Sequence, residues 1–123
     1  MGDRITIAFE STGALHYMSA RIYFHWAGIS ALDTACRVIR SGIANHPATA
    51  MVNLVYLWCN EHGGMQGSSV YLDDECPAGT DEGDWTYNFA TRLWTCVSHG
   101  SKAGRTTYSL EDIEGGRWRE EDD

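Results

Sequence analysis

Residues Arg21-Ile22-Tyr23-Phe24-His25-Trp26-Ala27-Gly28-Ile29-Ser30 bring together the side chains best suited to hold a small molecule. Alternating hydrophobicity over Ala20–Trp26 predicts a strand, Gly28 closes it, and Ser30 is expected to cap a following helix. Unpaired amides at such a helix start attract an anion. On this alternation Tyr23 and His25 share one strand face, and Ala20, Ile22, Phe24 and Trp26 share the other. Arg21 and, later in the chain, Arg92 offer positive charge, while Trp85 or Tyr87 offers a flat ring for stacking. The expected ligand-binding set is therefore Arg21, Tyr23, His25, Trp26, Gly28, Ser30, Trp85, Tyr87 and Arg92. The junction contains neither GxGxxG nor GxxxxGK[ST], which excludes a Rossmann fingerprint and a Walker loop. The competing reading makes Trp26 a core residue and His25 a hydrogen-bonded structural histidine.

A second candidate is acidic. Six carboxylates lie within Asp73–Asp84, enough oxygen ligands for a hard cation. An EF-hand frame starting at Asp73 fails, because Ala78 stands where the turn glycine belongs and Asp84 where the bidentate glutamate belongs. Repulsion between carboxylates in a solvated loop is the simpler explanation, and no resident metal or cofactor is expected. The nine serines include none in GxSxG, and His62 follows Glu61 without HExxH spacing, so no catalytic residue is nominated. The five tryptophans are many for this length. Trp26, Trp58 and Trp85 fit a core pattern, whereas Trp94 falls opposite Leu93, Thr95 and Val97, and Trp118 lies near the end. Exposed tryptophans mark interfaces or stack on bases.

Positioning these residues falls to one domain, for 123 residues with 43% hydrophobic and 21% charged content make a single modest core. Ile5, Ile7 and Phe9 predict a half-buried strand, paired with Ala20–Trp26 across Ser11–Ser19. Ser30, with Asp33 three residues on, approximates a capping box for a helix whose stripe is Leu32, Ala35, Cys36 and Ile39 and whose end is Gly42. Pro47 opens a second helix, apolar on nearly every side up to Cys59, which reads as the central buried one and ends at Gly63-Gly64. Ser68–Leu72, Trp85–Phe89, Leu93–Val97 and Thr106–Tyr108 read as strands, with Ala90-Thr91 at a hairpin. The expected fold is α+β: an antiparallel sheet of the N-terminal strand pair plus the C-terminal strands, packed on two helices in the order β-β-α-α-β-β-β. The domain is expected to span 1–114, with an acidic tail over 115–123.

Seventeen acids against nine bases give a net charge of −8, which disfavours direct binding to nucleic acid or to an anionic membrane. Residues 1–72 are balanced at four acids and four bases, so the whole charge belongs to residues 73–123. The charge-free stretch Ser41–Asn60 is broken by Gly42, Asn45, His46, Pro47 and Asn53, which suits a buried helix and not a span. Cys36, Cys59, Cys76 and Cys96 form no CxxC pair, and the apolar run from Ile5 is too short for a secretion signal, so reduced thiols and a cytoplasmic location are expected.

The start Met1-Gly2-Asp3-Arg4, the Ile-Thr-Ile strand, and Ile22-Tyr23-Phe24-His25-Trp26-Ala27-Gly28 before an amphipathic helix resemble a group of small phage and mobile-element proteins. Those begin Met-Gly-Asn-Arg and carry Tyr-Leu-His-Trp-Asn-Gly-Gly or Tyr-Leu-Tyr-Ser-His-Trp-Gly-Gly at the end of the second strand. Asp81-Glu82-Gly83-Asp84-Trp85-Thr86-Tyr87 looks like their Asp-Asn-Gly-Asp turn and Tyr-rich strand; Ile29 stands where a second glycine is usual. The resemblance implies a phage setting, hence the host-cell cytoplasm, and supplies no mechanism. Two binding roles fit: capture of a small anionic, nucleotide-like immune signal by a homo-oligomer whose neighbours lend arginines, or inhibition of a host defence nuclease by an acidic surface that imitates nucleic acid. An enzyme that degrades such a signal is the third.

Overall fold

Ile5, Thr6, Ile7, Ala8 and Phe9 are each at most 1% exposed. A strand shielded on both sides belongs at the centre of a sheet, and β1 (Ile5–Ser11) is the central strand here. The computed structural model describes residues 4–65, 67–71, 80, 82–97 and 106–114. After β1 come β2 (Tyr17–Met18), β3 (Arg21–Phe24), α1 (Ile29–Ser41), α2 (Pro47–His62) and β4 (Ser68–Tyr71). The chain continues through β5 (Asp84–Asn88), β6 (Leu93–Val97), β7 (Thr107–Ser109) and α3 (Leu110–Glu114). The strand order is β4-β3-β1-β5-β6-β7, with β2 paired to the end of β1.

The fold is α+β as expected, but the sheet is mixed. β1 runs antiparallel to β3, with Ile7 opposite Ile22, and parallel to β5, with Ile7 opposite Trp85. The chain reaches β5 only after both long helices and β4, and parallel neighbours require a long connection of that kind. β4 also lies beside β3, away from the other C-terminal strands. Two short elements, β2 and α3, were not expected.

Pairing registers put Ile5, Ile7, Phe9, Ile22, Phe24, Trp85, Tyr87, Trp94, Cys96 and Tyr108 on one face of the sheet. These residues form one core with Leu32, Ala35, Cys36 and Val38 of α1 and Ala50, Met51, Leu54 and Trp58 of α2. Both helices therefore lie on that face. α2 is not the central buried helix its composition suggested. Only one side of it meets the sheet and α1, so Val52 and Tyr56 are 68% and 65% exposed. β6 is also turned over relative to expectation: Trp94 is fully buried, while Leu93 and Val97 face outward. Alternation defines two faces without saying which is inner. Aromatic partners decide it, because Trp94 packs edge-on against both Tyr87 and Trp85.

The helix starts illustrate how caps are chosen. α1 begins at Ile29 with Gly28 as N-cap (φ 55°) and no side-chain cap, so the Ser30–Asp33 box does not form and Ser30 sits inside the first turn. α2 starts as the proline predicted, with His46 Nδ1 accepting from the Ala48 amide at 3.3 Å. α3 has a reciprocal box: Asp112 Oδ2 accepts from the Ser109 amide at 2.9 Å, and Ser109 Oγ accepts from the Asp112 amide at 3.1 Å. Of the acidic loop, Glu82 and Asp84 are described, and Asp84 accepts from Thr6 at 2.8 Å and from Thr80 at 3.1 Å. Asp73, Asp74, Glu75, Asp81, Cys76, Trp118 and the expected tail lie outside the described residues.

Candidate functional site

The end of β3 and the end of α2 converge on a cleft. Trp26, Ala27 and Ser30 line one side, Trp58, His62 and Gly64 the other, and Ser68 at the start of β4 closes it, enclosing about 270 Å³. Trp58 is anchored in the core, where its edge meets the Phe24 ring at 5.1 Å. One helical turn later, the His62 ring lies flat on the Trp58 indole, 3.6 Å between centroids at 17°, while His62 Nδ1 meets the Trp58 carbonyl at 3.1 Å. Side chains four apart on a helix stack in this way. Stacked in this way each ring covers one face of the other, and both residues line the cleft.

Trp26 forms the opposite flank. Its backbone has left β3, and the indole is 65% exposed, which settles against the core reading. It is nevertheless held. The His25 amide donates to the Gly67 carbonyl at 2.9 Å, and the His25 ring meets Trp26 edge-on at 4.4 Å. Gly67 has φ +76°, and a Cβ there would stand 3.0 Å from Trp26 Cδ1. Glycine at 67 thus permits both the turn and the close seat of the indole.

The nine expected ligand-binding residues are divided among four places. Trp26 and Ser30 line the cleft, and Gly28 between them is the N-cap of α1 with a positive φ. Tyr23 and His25 do share a face, joined by a 3.0 Å hydrogen bond between the phenol and His25 Nδ1. That face is the one turned away from the helices. Arg21 lies on it too, donating to the Thr6 hydroxyl (3.2 Å), the Trp85 carbonyl (2.9 Å) and the Thr86 hydroxyl. It works as a clamp across β3, β1 and β5, so its charge does not reach the cleft. Trp85 is fully buried, with its indole N–H donating to the Glu82 carbonyl at 2.7 Å. Tyr87 and Arg92 line a separate cavity.

The helix N-terminus offers less to an anion than its sequence implied. The Ser30 and Ala31 amides bond back to the Ala27 and Gly28 carbonyls at 3.2 and 3.3 Å. Polar recognition in the cleft therefore falls to the hydroxyls of Ser30 and Ser68 and to His62. Ala27, Trp58, His62, Gly64 and Ser68 were missing from the expected set. Their signal was the i, i+4 pair of Trp58 and His62 at a helix end followed by Gly63-Gly64, visible once His62 is weighed as a stacking ring and not as a metal ligand. No protein-family model, no curated protein and no solved structure matches this chain.

Proposed function

We propose that this protein is a non-catalytic binder that captures a small, planar, nucleotide-like molecule in the cleft between Trp26 and the Trp58–His62 stack. The observation that carries the reading is one exposed, well-seated indole lining the same cleft of about 270 Å³ as the stacked Trp58–His62 pair. Stacking of a heteroaromatic ring on such side chains contributes about 1–3 kcal/mol per base, and the Ser30 and Ser68 hydroxyls are suited to its edge. Among the described residues no carboxylate lines the cleft, and His62 has its Nδ1 engaged with the Trp58 carbonyl; the reading is therefore of binding. The anionic part of the ligand extends past this lining, where arginines of a second copy of the chain would meet it in a homo-oligomer. In the phage setting the sequence resembles, such capture would remove an immune signal from the host cytoplasm.

The acidic-inhibitor reading draws less support from the described glutamates that are already paired. Glu61 is paired with Arg37, Glu111 and Glu114 with Arg40, and Glu10 with His16. Most of the acids on which that reading rests, over Asp73–Asp84 and Glu111–Asp123, lie outside the described residues. Incubation with cyclic and ADP-ribose-type nucleotides, followed by heat release and chromatography, tests the proposal. Recovery of intact nucleotide is the expected result. Recovery of a degraded nucleotide would make the protein an enzyme, and no retention of any nucleotide would end the proposal.

A further inference from the structure

A larger cavity, about 460 Å³, opens on the other side of the molecule where the C-terminal end of α1, the α1–α2 loop, the β5–β6 turn and α3 meet. Its walls are chemically split. Tyr87 and Phe89 form an aromatic side with rings edge-on at 5.1 Å and 85°, Leu110 and Ile39 add apolar surface, Asn45 and the Arg40–Glu111 ion pair make up a polar side, and Arg92 stands at the turn.

Arg92 is unusual in two independent ways. First, it is the non-glycine residue with positive φ (60°) among the described residues. The β5–β6 hairpin requires that conformation: Asn88 Oδ1 accepts from the Ala90 amide at 2.9 Å, and the Arg92 amide closes the turn on the Asn88 carbonyl at 2.7 Å. Glycine or asparagine fills a left-handed turn position with less strain than arginine. Second, the other described arginines are engaged: Arg37 by Glu61, Arg40 by Glu111 and Glu114, Arg21 by Thr6, Thr86 and the Trp85 carbonyl, and Arg4 likewise has a partner. Among the described residues no carboxylate pairs with Arg92. The lining carboxylate, Glu111, is neutralised by Arg40, so a strained arginine with an unspent guanidinium beside the aromatic wall of this cavity is the arrangement that receives a carboxylate attached to an apolar body.

We infer that this cavity is a second ligand site, specific for a small organic carboxylate whose apolar or aromatic body lies against Tyr87 and Phe89 while Arg92 holds its charge. The site is separate from the Trp26 cleft and stands whether or not that cleft binds a nucleotide.

The probe is indole-3-acetate, titrated into the full-length protein by calorimetry, with the uncharged indole-3-acetamide as control. The carboxylate should bind at least 5-fold more tightly than the amide, roughly the discrimination one charge-assisted hydrogen bond supplies. In Arg92→Gly that preference should vanish while the melting midpoint is unchanged or higher, because glycine suits the turn. Trp26→Ala should leave indole-3-acetate binding intact. Equal affinity for acid and amide, an Arg92→Gly variant that keeps the preference, or no binding at millimolar probe would each overturn the inference.

Discussion

Trp26 stands almost free of the core, yet its indole is fixed from behind by Gly67 and His25. Its removal should therefore separate stability from binding. Trp26→Ala is expected to cost about 1 kcal/mol or less, as surface substitutions do, while nucleotide retention is lost; thermal melts and retention on the same sample check both. Trp58→Ala should instead cost about 3–5 kcal/mol, the range for a buried aromatic. Gly67→Ala is a finer probe. A side chain at φ +76° and 3.0 Å from Trp26 Cδ1 should destabilise by about 1–2 kcal/mol and shift the indole, weakening retention beyond the stability loss. Burial also pushes the Cys36 thiol up to about 12, with Glu114 and Asp33 adding to it. Because a raised folded value makes the unfolded chain the readier to ionise, stability should decline as pH climbs past 9.0, and Cys36 should resist thiol reagents at pH 8 until the protein unfolds. From sequence, Trp26 stood both in the ligand-binding set and on a core pattern, and Trp94 on the face opposite Leu93 and Val97; Trp26 is exposed and the Trp94 face is the buried one. Alternation places residues on faces only while the strand lasts, and β3 ends at Phe24.

At the scale of elements, the same four-residue pattern has two outcomes. Ser109–Asp112 forms a capping box and Ser30–Asp33 does not, because Gly28, with its positive φ, starts α1 two residues before Ser30. Ser109→Ala should thus cost about 1 kcal/mol and loosen α3, whereas Ser30→Ala should leave the melting midpoint nearly unchanged. The helices are also tied by charge. Arg37 holds Glu61 with two 2.6 Å bonds, joining α1 to α2, and Arg40 holds Glu111 and Glu114, joining α1 to α3. Arg37 draws the Glu61 carboxyl below its ordinary value; a backbone hydrogen bond and then Arg40 do the same for Glu111. A depressed carboxyl stabilises the fold above its unfolded pKa, and that contribution disappears as pH falls through the folded value. Acidification below about 4.5 should therefore release α3 and lower the melting midpoint, a loss that high salt at neutral pH should partly reproduce. The helix ends at Gly42 and Gly63 and the Pro47 start were legible, since each rests on one residue's local conformation.

At the scale of the molecule, the α+β class, the positions of the long elements and the strand pair β1–β3 could be read directly. The parallel pairing of β1 with β5 could not, since hairpin reasoning sees only neighbours in sequence. The Ile5–Phe9 run carried a hint: Thr6 and Ala8 are small enough for a strand covered on both sides. Of the expected site, the strand-to-helix junction was legible and its partner was not. The Trp58–His62 wall reaches it through tertiary packing of α2, which no motif at residues 21–30 encodes. The net charge of −8 excluded no small ligand, and among the described glutamates Glu10, Glu61, Glu111 and Glu114 are tied to arginine or histidine. The most direct test follows the indole N–H resonances by NMR during titration with cyclic and ADP-ribose-type nucleotides, the Trp26 signal being identified by its loss in Trp26→Phe. The Trp26 resonance should move saturably with a retained nucleotide while those of buried Trp85 and Trp94 stay in place. A nucleotide that binds without moving the Trp26 signal, or that binds Trp26→Ala as tightly as the parent protein, would contradict the assignment of the cleft.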